Sequence, residues 1–562
     1  MLWVCGPVRA QVFVEDSPAA AELFRSAEDR LAKDEPEDAA KLVQKLLDEH
    51  GSRLLELEPG RYSEVRRVVA HRLTEQPALL AAYRALYEPQ ASQLFQQAGH
   101  DRKALGDVFR RYGMTDAGLE AALRLVGLDL ESGEAEGAAV VLTQVRDHPS
   151  LELHRELWLR LKAVAAILLG REDDLSGARS ALVERGAREA VAGIDQLGKT
   201  VPVEAVARGA LSPLDVLPPA RLPEELRQPL WSVPIEGAEL FLKSKYQPEA
   251  MHLEDQFERG RYLNAMPFLA GGRLLVDDGQ SVLAVEPDSG RLLWRQRIAD
   301  EDVIPGNNFR YSNLTPGGLD LNCLAADSRR VVAICGFGAM ATQYPFVEPP
   351  SSTWLTGLDA KTGKVIWSKK PEEVADDLME SFWFGRPIIS EGRVYATIRR
   401  RQRTQFNDAY VLALDVNSGE LIWRRHLAAV AIVGRNVVPG YVHPLLDHGW
   451  LYVDTRLGTV ARLSALDGAV DWLTVLDGPM RAPSDGSARA FEATVPVLTR
   501  AGLVTLDPMT QSVRVLDPET GTTVDKFSAM DWNWPAYIVG LKGGDLLSVG
   551  QQVHRISGEN PK

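Results

Sequence analysis

Five stretches in the second half of the sequence repeat a short turn motif that ends in Gly, and in four of them a Trp follows four residues after the Gly. Their glycines, Gly290, Gly363, Gly419, Gly468 and Gly521, are separated by 73, 56, 49 and 53 residues. This spacing is close to the length of one four-stranded blade of a β-propeller. The repeat therefore predicts a series of equivalent, stacked sheets.

A second motif precedes most of the Gly turns. It reads PFLAGGRLLV from Pro267, PIISEGRVYA from Pro387, PLLDHGWLYV from Pro444 and PVLTRAGLVT from Pro496. Each unit thus predicts a strand, a tight turn, two further strands, the Gly turn and an outer strand that carries Trp. Six such units can be recognised.

The sixth unit ends before any outer strand with Trp. A segment with that character, PLWSVPI, stands before the first unit at Pro229 to Ile235. We expect Trp231 and its neighbours to pair with the last blade and close the ring, because a closed ring leaves no open edge. Six blades are favoured, with seven as the alternative.

The first part of the sequence predicts successive helices. Ser17-Pro18 is a helix start signal, and Pro36 starts a second apolar stripe at helical spacing. Leu123, Gly127 and Leu130 match part of the tetratricopeptide repeat pattern. The predicted fold is a multidomain α+β chain in which an N-terminal α-solenoid of tetratricopeptide-like repeats, residues 17–200, precedes an all-β propeller, residues 229–562.

Two short regions flank the helical part. Residues 201–228 are rich in Pro and are predicted to be a linker. Residues 1–16 are predicted to be a remnant export signal or disordered, because Val8-Arg9-Ala10 resembles a signal cleavage site. This indicates a periplasmic or cell-envelope protein.

Charge and hydropathy exclude some classes of partner. The formal net charge of -14 argues against nucleic acid. No uninterrupted apolar stretch is long enough for a transmembrane span. Neither feature predicts an oligomeric state.

Three motifs imitate functional sites. Gly193 to Thr200 matches a phosphate-binding loop, but a helix is predicted before it and Pro202 follows. Gly336 to Ala341 imitates a dinucleotide fingerprint, but no helix is expected after it. His443 and His448 have no third metal ligand in sight and are expected to line a hairpin.

The Gly-and-Trp motif resembles the repeat of pyrroloquinoline-quinone-type (quinoprotein) propellers and of the outer-membrane assembly factor BamB family. Quinoprotein dehydrogenases of this type use a vicinal Cys pair, a calcium site and a catalytic Asp, and this sequence has no Cys-Cys. The resemblance therefore implies a non-enzymatic scaffold that resembles BamB, binds protein or peptide partners and needs no cofactor, metal or catalytic residue. The alternative is a quinone-dependent dehydrogenase or another oxidoreductase.

The connections from each outer strand to the next inner strand emerge on one face of a propeller. Here these connections are rich in aromatic residues and Arg, which is the composition of binding hot spots. This face is the candidate partner-binding site. Its candidate residues are Phe309, Arg310, Tyr311, Trp383, Phe384, Arg386, Arg435, Tyr441, Arg481, Trp532 and Trp534.

Overall fold

The structure is a computed structural model of the 562-residue chain. The residues that it describes are 12–200, 231–233, 267–277, 281–298, 324–335, 353–379, 381–402, 406–431, 442–476, 496–507, 512–528, 537–541, 544–549 and 553–559. The predicted linker at 201–228 lies outside these residues. The part of 1–16 that is described includes a short strand, β1, at Val12–Phe13.

The N-terminal region is helical, as the sequence predicts. Its helices are α1 (Pro18–Ala32), α2 (Pro36–His50), α3 (Val65–Glu75), α4 (Pro77–Ala98), α5 (Arg102–Tyr112), α6 (Asp116–Glu131), α7 (Ala135–Gln144), α8 (Arg155–Leu169), α9 (Glu172–Glu184) and α10 (Arg188–Thr200). Helix α1 starts at the predicted cap, where Ser17 Oγ accepts the Ala20 N–H at 3.2 Å. The tetratricopeptide likeness stays a prediction.

A β-hairpin interrupts the helices. Strands β2 (Leu54–Glu58) and β3 (Arg61–Glu64) pair in antiparallel register and are joined by a turn with Gly60 at φ 78°. Ser63 and Glu64 belong to β3, and α3 begins directly after them at Val65, so the predicted run of helices is broken here. The Pro59-Gly60 dipeptide between two short stretches with β-forming residues was the signal for this hairpin.

The C-terminal region consists of small antiparallel sheets. The described residues form six of them, whereas the blade number of the whole propeller stays a prediction. The first sheet contains β4 (Phe268–Ala270), β5 (Arg273–Asp277), β6 (Ser281–Val285) and β7 (Leu292–Arg297), and the second contains β8 (Leu324–Ala326), β9 (Arg330–Cys335), β10 (Trp354–Asp359) and β11 (Val365–Lys369).

The third sheet has the longest strands. It contains β12 (Ser381–Trp383), β13 (Ile388–Ser390), β14 (Arg393–Gln402), β15 (Phe406–Asp415) and β16 (Leu421–Ala431). A short helix, α11 (Pro371–Val374), precedes it.

The remaining three sheets follow in chain order. They contain β17 (Leu445–Asp447), β18 (Trp450–Asp454), β19 (Thr459–Ser464) and β20 (Val470–Val475) in the fourth, β21 (Val497–Thr499), β22 (Gly502–Asp507), β23 (Ser512–Leu516) and β24 (Thr523–Ser528) in the fifth, and β25 (Tyr537–Gly540), β26 (Leu546–Val549) and β27 (Val553–Ile556) in the sixth.

Each sheet has two distinct ends. One end contains the Gly turn and the tight turn that corresponds to the β13–β14 turn of the third sheet, and we call it the turn end. At the opposite end the chain leaves for the next sheet, and we call this the connection end. The Gly turns are built as predicted. Asp415 Oδ1, for example, accepts the backbone N–H groups of Asn417 and Ser418, both at 2.9 Å, and Asp359 and Asp517 do the same in their turns.

In each of the first four sheets, the repeated Trp docks the sheet on the next one. Trp367 of the second sheet lies on Gly419 of the third, and its Nε1 donates to the Val416 carbonyl at 2.8 Å. A Cβ at Gly419 would lie 2.7 Å from the ring, and the glycine has φ 70°. Glycine is therefore required here both for the close approach and for the backbone conformation. The same contact recurs for Trp294 on Gly363, Trp423 on Gly468 and Trp472 on Gly521.

Trp231 makes this contact with the first sheet. Its Nε1 donates to the Pro287 carbonyl at 2.9 Å, and its ring lies on Gly290. It therefore takes the place of a Trp from a preceding sheet. The strand pairing predicted for Pro229 to Ile235 stays a prediction, because most of that segment lies outside the described residues.

The helical region is joined to the propeller by strands. β1 pairs with the outer strand β16 of the third sheet through Val12 and Val430, and β3 pairs with the outer strand β20 of the fourth through Tyr62 and Leu473. The hairpin thereby extends the fourth sheet to six strands. These pairings satisfy outer-edge backbone groups that would otherwise face solvent.

Buried ion pairs reinforce the contact of the hairpin. Asp471 of β20 has a side chain only 1% exposed, and it pairs with Arg67 of α3 and, at 3.1 Å, with Arg462 of β19. Glu64, whose side chain is 3% exposed, pairs with Arg425 of β16 at 3.2 Å. Burial lowers the pKa of the Arg67 guanidinium to about 10, so this group remains charged at neutral pH.

Among the described residues, no helix combines the length and the apolar character that crossing a bilayer requires.

We expect Gly419→Ala to destabilise the protein more than Gly272→Ala. Gly272 also has a positive φ, 69°, but its Cβ would meet nothing within 4 Å. Gly272→Ala should lower the free energy of unfolding by about 1 kcal/mol, the cost of a left-handed backbone for a residue with a Cβ. Gly419→Ala must also displace the Trp367 ring, which should lower the free energy of unfolding by a further 1–3 kcal/mol or so, about the cost of overpacking. Urea unfolding of both variants checks this. Equal losses would show that the Trp contact is not tight.

We expect Asp471→Ala to destabilise the protein by about 3–5 kcal/mol, because it leaves the buried Arg462 guanidinium, 8% exposed, without its carboxylate and also removes the partner of the partly exposed Arg67. Glu519→Gln is the matched control, since the Arg146–Glu519 pair joins the same two regions but is exposed. That control should cost no more than about 1 kcal/mol in the same chemical denaturation assay.

Candidate functional site

The structure describes three of the predicted partner-binding residues, Trp383, Phe384 and Arg386. They lie where the chain enters the third sheet at its connection end. The other eight residues of the predicted face, Phe309, Arg310, Tyr311, Arg435, Tyr441, Arg481, Trp532 and Trp534, lie outside the described residues. The face as a whole stays a prediction.

Trp383 and Phe384 do not present their side chains at a surface. They are 0% and 7% exposed and pack in the core between the second and third sheets. The Trp383 Nε1 donates to the Lys369 carbonyl at 2.9 Å. These two aromatic residues therefore support the connection end from within.

Arg386 lies at the inner side of the connection end. It is partly buried, and its guanidinium carbon lies 5.3 Å from the centre of the Phe268 ring in the first sheet. Strand β8 of the second sheet contacts β4 of the first sheet and β13 of the third. Arg386, which precedes β13, therefore reaches from the third sheet to the first. A cation over an aromatic face is a favourable contact that also holds the guanidinium in place.

His443 supports the Arg386 backbone. Its Nδ1 accepts the Arg386 N–H at 3.0 Å, and its side chain is buried. Burial, together with the charges of Arg386 and Arg456, lowers the pKa of the His443 imidazole to about 3. The ring is therefore neutral near pH 7, with its proton on Nε2, and acts as a structural acceptor.

Two equivalent arginines tie neighbouring sheets together at this end. Arg399 of the third sheet donates to the Thr455 carbonyl of the fourth, and Arg456 donates to the Leu506 carbonyl of the fifth. Asp454 also joins the fourth and fifth sheets, because its Oδ2 accepts a hydrogen bond from the Thr505 hydroxyl at 2.5 Å. Its Oδ1 accepts the backbone N–H of Arg456 at 2.9 Å. The described part of the connection end is thus a rigid base for its loops.

Sequence reasoning missed Arg399, Arg456, Asp454 and the role of His443. A signal for the arginines was present, because the segments from Pro387 and Pro444 share the pattern P-x-x-x-x-G-x-x-Y-x-x-x-R. The pattern places an Arg at the same position in two successive sheets. It does not reveal that each Arg reaches the next sheet.

The structure describes two of the three imitation motifs. Gly193 to Thr200 lies inside α10, with no strand before it, so its backbone N–H groups cannot form a phosphate loop. His443 precedes β17 and His448 follows it, so the two side chains stand at opposite ends of that strand. Gly336 to Ala341 lies outside the described residues. Within the described residues there is no group of three His, Cys, Asp or Glu side chains that could hold a metal.

The helical region covers the turn end of the third to fifth sheets. Helix α7 packs on the β17–β18 turn, where a Cβ at Gly449 would meet the Glu136 carbonyl, and Gly137 faces Leu466. Arg146 reaches Glu519 in the Gly turn of the fifth sheet at 3.2 Å. Among the described residues, these contacts of the helices are all with the turn end, whereas Val12 of β1 packs at the connection end, beside Leu457 and Gly458 of the fourth sheet.

The repeated sheets, docked through Trp and Gly, define a PQQ-like β-propeller protein with an N-terminal helical region. Residues 278–409 and 407–535 match the family described as outer membrane protein assembly factor BamB. The confirmed resemblance is thus to this type of propeller. No curated protein matches the chain.

Solved structures resemble the chain only distantly. BamB from Moraxella catarrhalis has 13% identity and a TM-score of 0.29 over 51% of this chain and 70% of its own. A quinohemoprotein alcohol dehydrogenase from Pseudomonas putida HK5 has 16% identity and a TM-score of 0.31 over 48% of this chain and 42% of its own. Sqt1 from Saccharomyces cerevisiae has 11% identity and a TM-score of 0.32 over 52% of this chain and 69% of its own.

We expect His443→Gln to reduce the loss of stability in acid. The pKa of His443 is about 3 in the folded protein and about 6.5 unfolded. As the pH falls, the imidazole of the unfolded chain therefore binds a proton before that of the folded protein does. The free energy of unfolding falls by about 3–5 kcal/mol through this group as the pH drops from about 6.5 towards 3. Gln keeps an acceptor for the Arg386 N–H and does not titrate. Unfolding measured between pH 7 and pH 4 should show a shallower decline, and an unchanged decline would contradict the buried neutral imidazole.

Proposed function

We propose that this protein is a non-enzymatic scaffold of the cell envelope that binds protein or peptide partners through the connection end of its propeller. The observation that carries the proposal is the asymmetry of the propeller. The helices cover the turn end of three sheets, whereas the connection end keeps a rigid base and the longest loops.

The composition of those loops supports recognition of a protein. The connections contain Trp, Tyr, Phe and Arg, which supply most of the binding energy in protein interfaces. The base below them is built from Arg399, Arg456 and His443, which all hydrogen-bond to the backbone. A rigid base reduces the ordering cost of binding.

The family match supports the envelope assignment and the class of partner. The matched family is named for a factor that assembles outer-membrane proteins. A signal-like start at Val8-Arg9-Ala10 agrees with export. We therefore propose a partner that is itself a protein of the envelope.

We expect the triple variant Arg310→Glu, Arg435→Glu and Arg481→Glu to weaken partner capture at least tenfold, because it reverses the charge of three connection loops. The control is Arg291→Glu, Lys361→Glu and Lys364→Glu, which changes the charge equally in the Gly turns of the first two sheets. Crosslinking in the native cell followed by quantitative mass spectrometry measures both. Equal capture by the two variants would contradict the proposed face, and stoichiometric binding of pyrroloquinoline quinone with dye-linked turnover would favour the oxidoreductase alternative.

A further inference from the structure

The N-terminus of α7 is capped by a side chain from the propeller. Glu391 lies in the β13–β14 turn with φ 47°, and its Oε1 accepts the Glu136 N–H at 2.6 Å. The Gly137 N–H also reaches this carboxyl group. The first N–H groups of a helix have no partner within the helix, and Glu134 at the start of α7 makes no side-chain cap. Glu391 therefore provides the cap across the junction of the two regions.

The charges around this cap do not balance. Arg393 pairs with Glu134 at 2.9 Å, and Arg171 pairs with Glu136 at 2.7 Å. Among the described residues, no guanidinium lies within ion-pair distance of Glu391, so the cluster has one carboxylate more than it has arginines. The carboxylates are Glu391, Glu136, Glu134 and Asp129, and the arginines are Arg393, Arg171 and Arg102.

The surroundings of Glu391 make its ionised form costly. Its Oε2 is buried without a hydrogen-bond partner. Burial first, and the nearby Glu136 carboxylate in addition, raise the pKa of Glu391 to about 7, although the two backbone donors and Arg393 act in the opposite direction. Burial also raises the pKa of Glu136, which has Arg171, His448 and Asp447 around it.

We propose that Glu391 is a proton-operated latch, which holds α7 against the propeller when its carboxyl group is neutral and weakens that contact when the group ionises. The neutral carboxyl keeps its acceptor for the Glu136 N–H and adds no charge beside Glu136. The ionised form places an unmatched negative charge in a buried junction, and the favourable interaction of an anion with a helix N-terminus does not offset this cost.

The direction of the pH dependence follows from the raised pKa. A carboxyl group released to solvent titrates near its usual pKa of 4.5, against about 7 in the contact. The stabilisation of the α7 contact by the latch is therefore fully present below about pH 4.5, and it is lost as the pH rises to 7 and above. Docking of α7 should be stronger at pH 5 than at pH 8.

Hydrogen exchange of the α7 amides in the full-length protein tests the latch. After correction for intrinsic exchange rates, we expect the protection of residues 135–144 to fall by a factor of about 10–100 between pH 5 and pH 8. Glu391→Gln keeps the acceptor without a titrating group, so its protection should stay high and lose this dependence. Constant or rising protection in the unmodified protein would overturn the proposal, even if the variant failed to fold.

Glu519→Gln is the matched control. Glu519 contacts Arg146 across the same junction, and the hydrogen bond from Arg146 lowers the pKa of its carboxyl group. This substitution should leave the pH dependence of α7 protection between pH 5 and pH 8 unchanged. A Glu391→Gln protein that keeps the full pH dependence, or a Glu519→Gln protein that loses it, would show that Glu391 is not the titrating group.

Discussion

The stacking of sheets depends on one contact, a Trp ring that lies flat on the Gly of the following sheet. The contact combines burial of an apolar ring, a hydrogen bond from the Trp Nε1 and a glycine in the left-handed conformation. Neither the Trp nor the Gly can therefore be replaced independently of the other. Its repetition sets the spacing of the first five sheets. In the fifth sheet, Asp525 stands where Trp is expected, so the fifth and sixth sheets pack through aliphatic residues such as Val497, Ile538 and Leu546 instead.

Features encoded within one repeat could be predicted from the sequence. The Gly turns and the outer strands that carry Trp follow from residues that lie close together in the chain, and the structure confirms them. The start of α1 at Ser17 is confirmed for the same reason. The helical setting of Gly193 to Thr200 could also be recognised, because the local apolar pattern continues through it.

Contacts between distant parts of the chain could not be predicted. Ser63 donates to the Asp471 carbonyl at 2.6 Å across 408 residues, and nothing near either residue indicates the other. The same holds for Glu391, whose role depends on a helix that lies 255 residues away in sequence. For Trp383 and Phe384, composition alone could not distinguish an exposed aromatic residue from one that fills the core between two sheets.

The hairpin from β2 and β3 also affects the order in which the protein can fold. It is synthesised early, yet its partner strand β20 emerges about four hundred residues later, so the hairpin must wait with an unpaired edge. Contacts between such distant residues slow folding, because a very long loop has to close. The hairpin can therefore complete its sheet only after β20 has been synthesised, and a nascent chain halted before residue 470 would expose this edge to chaperones.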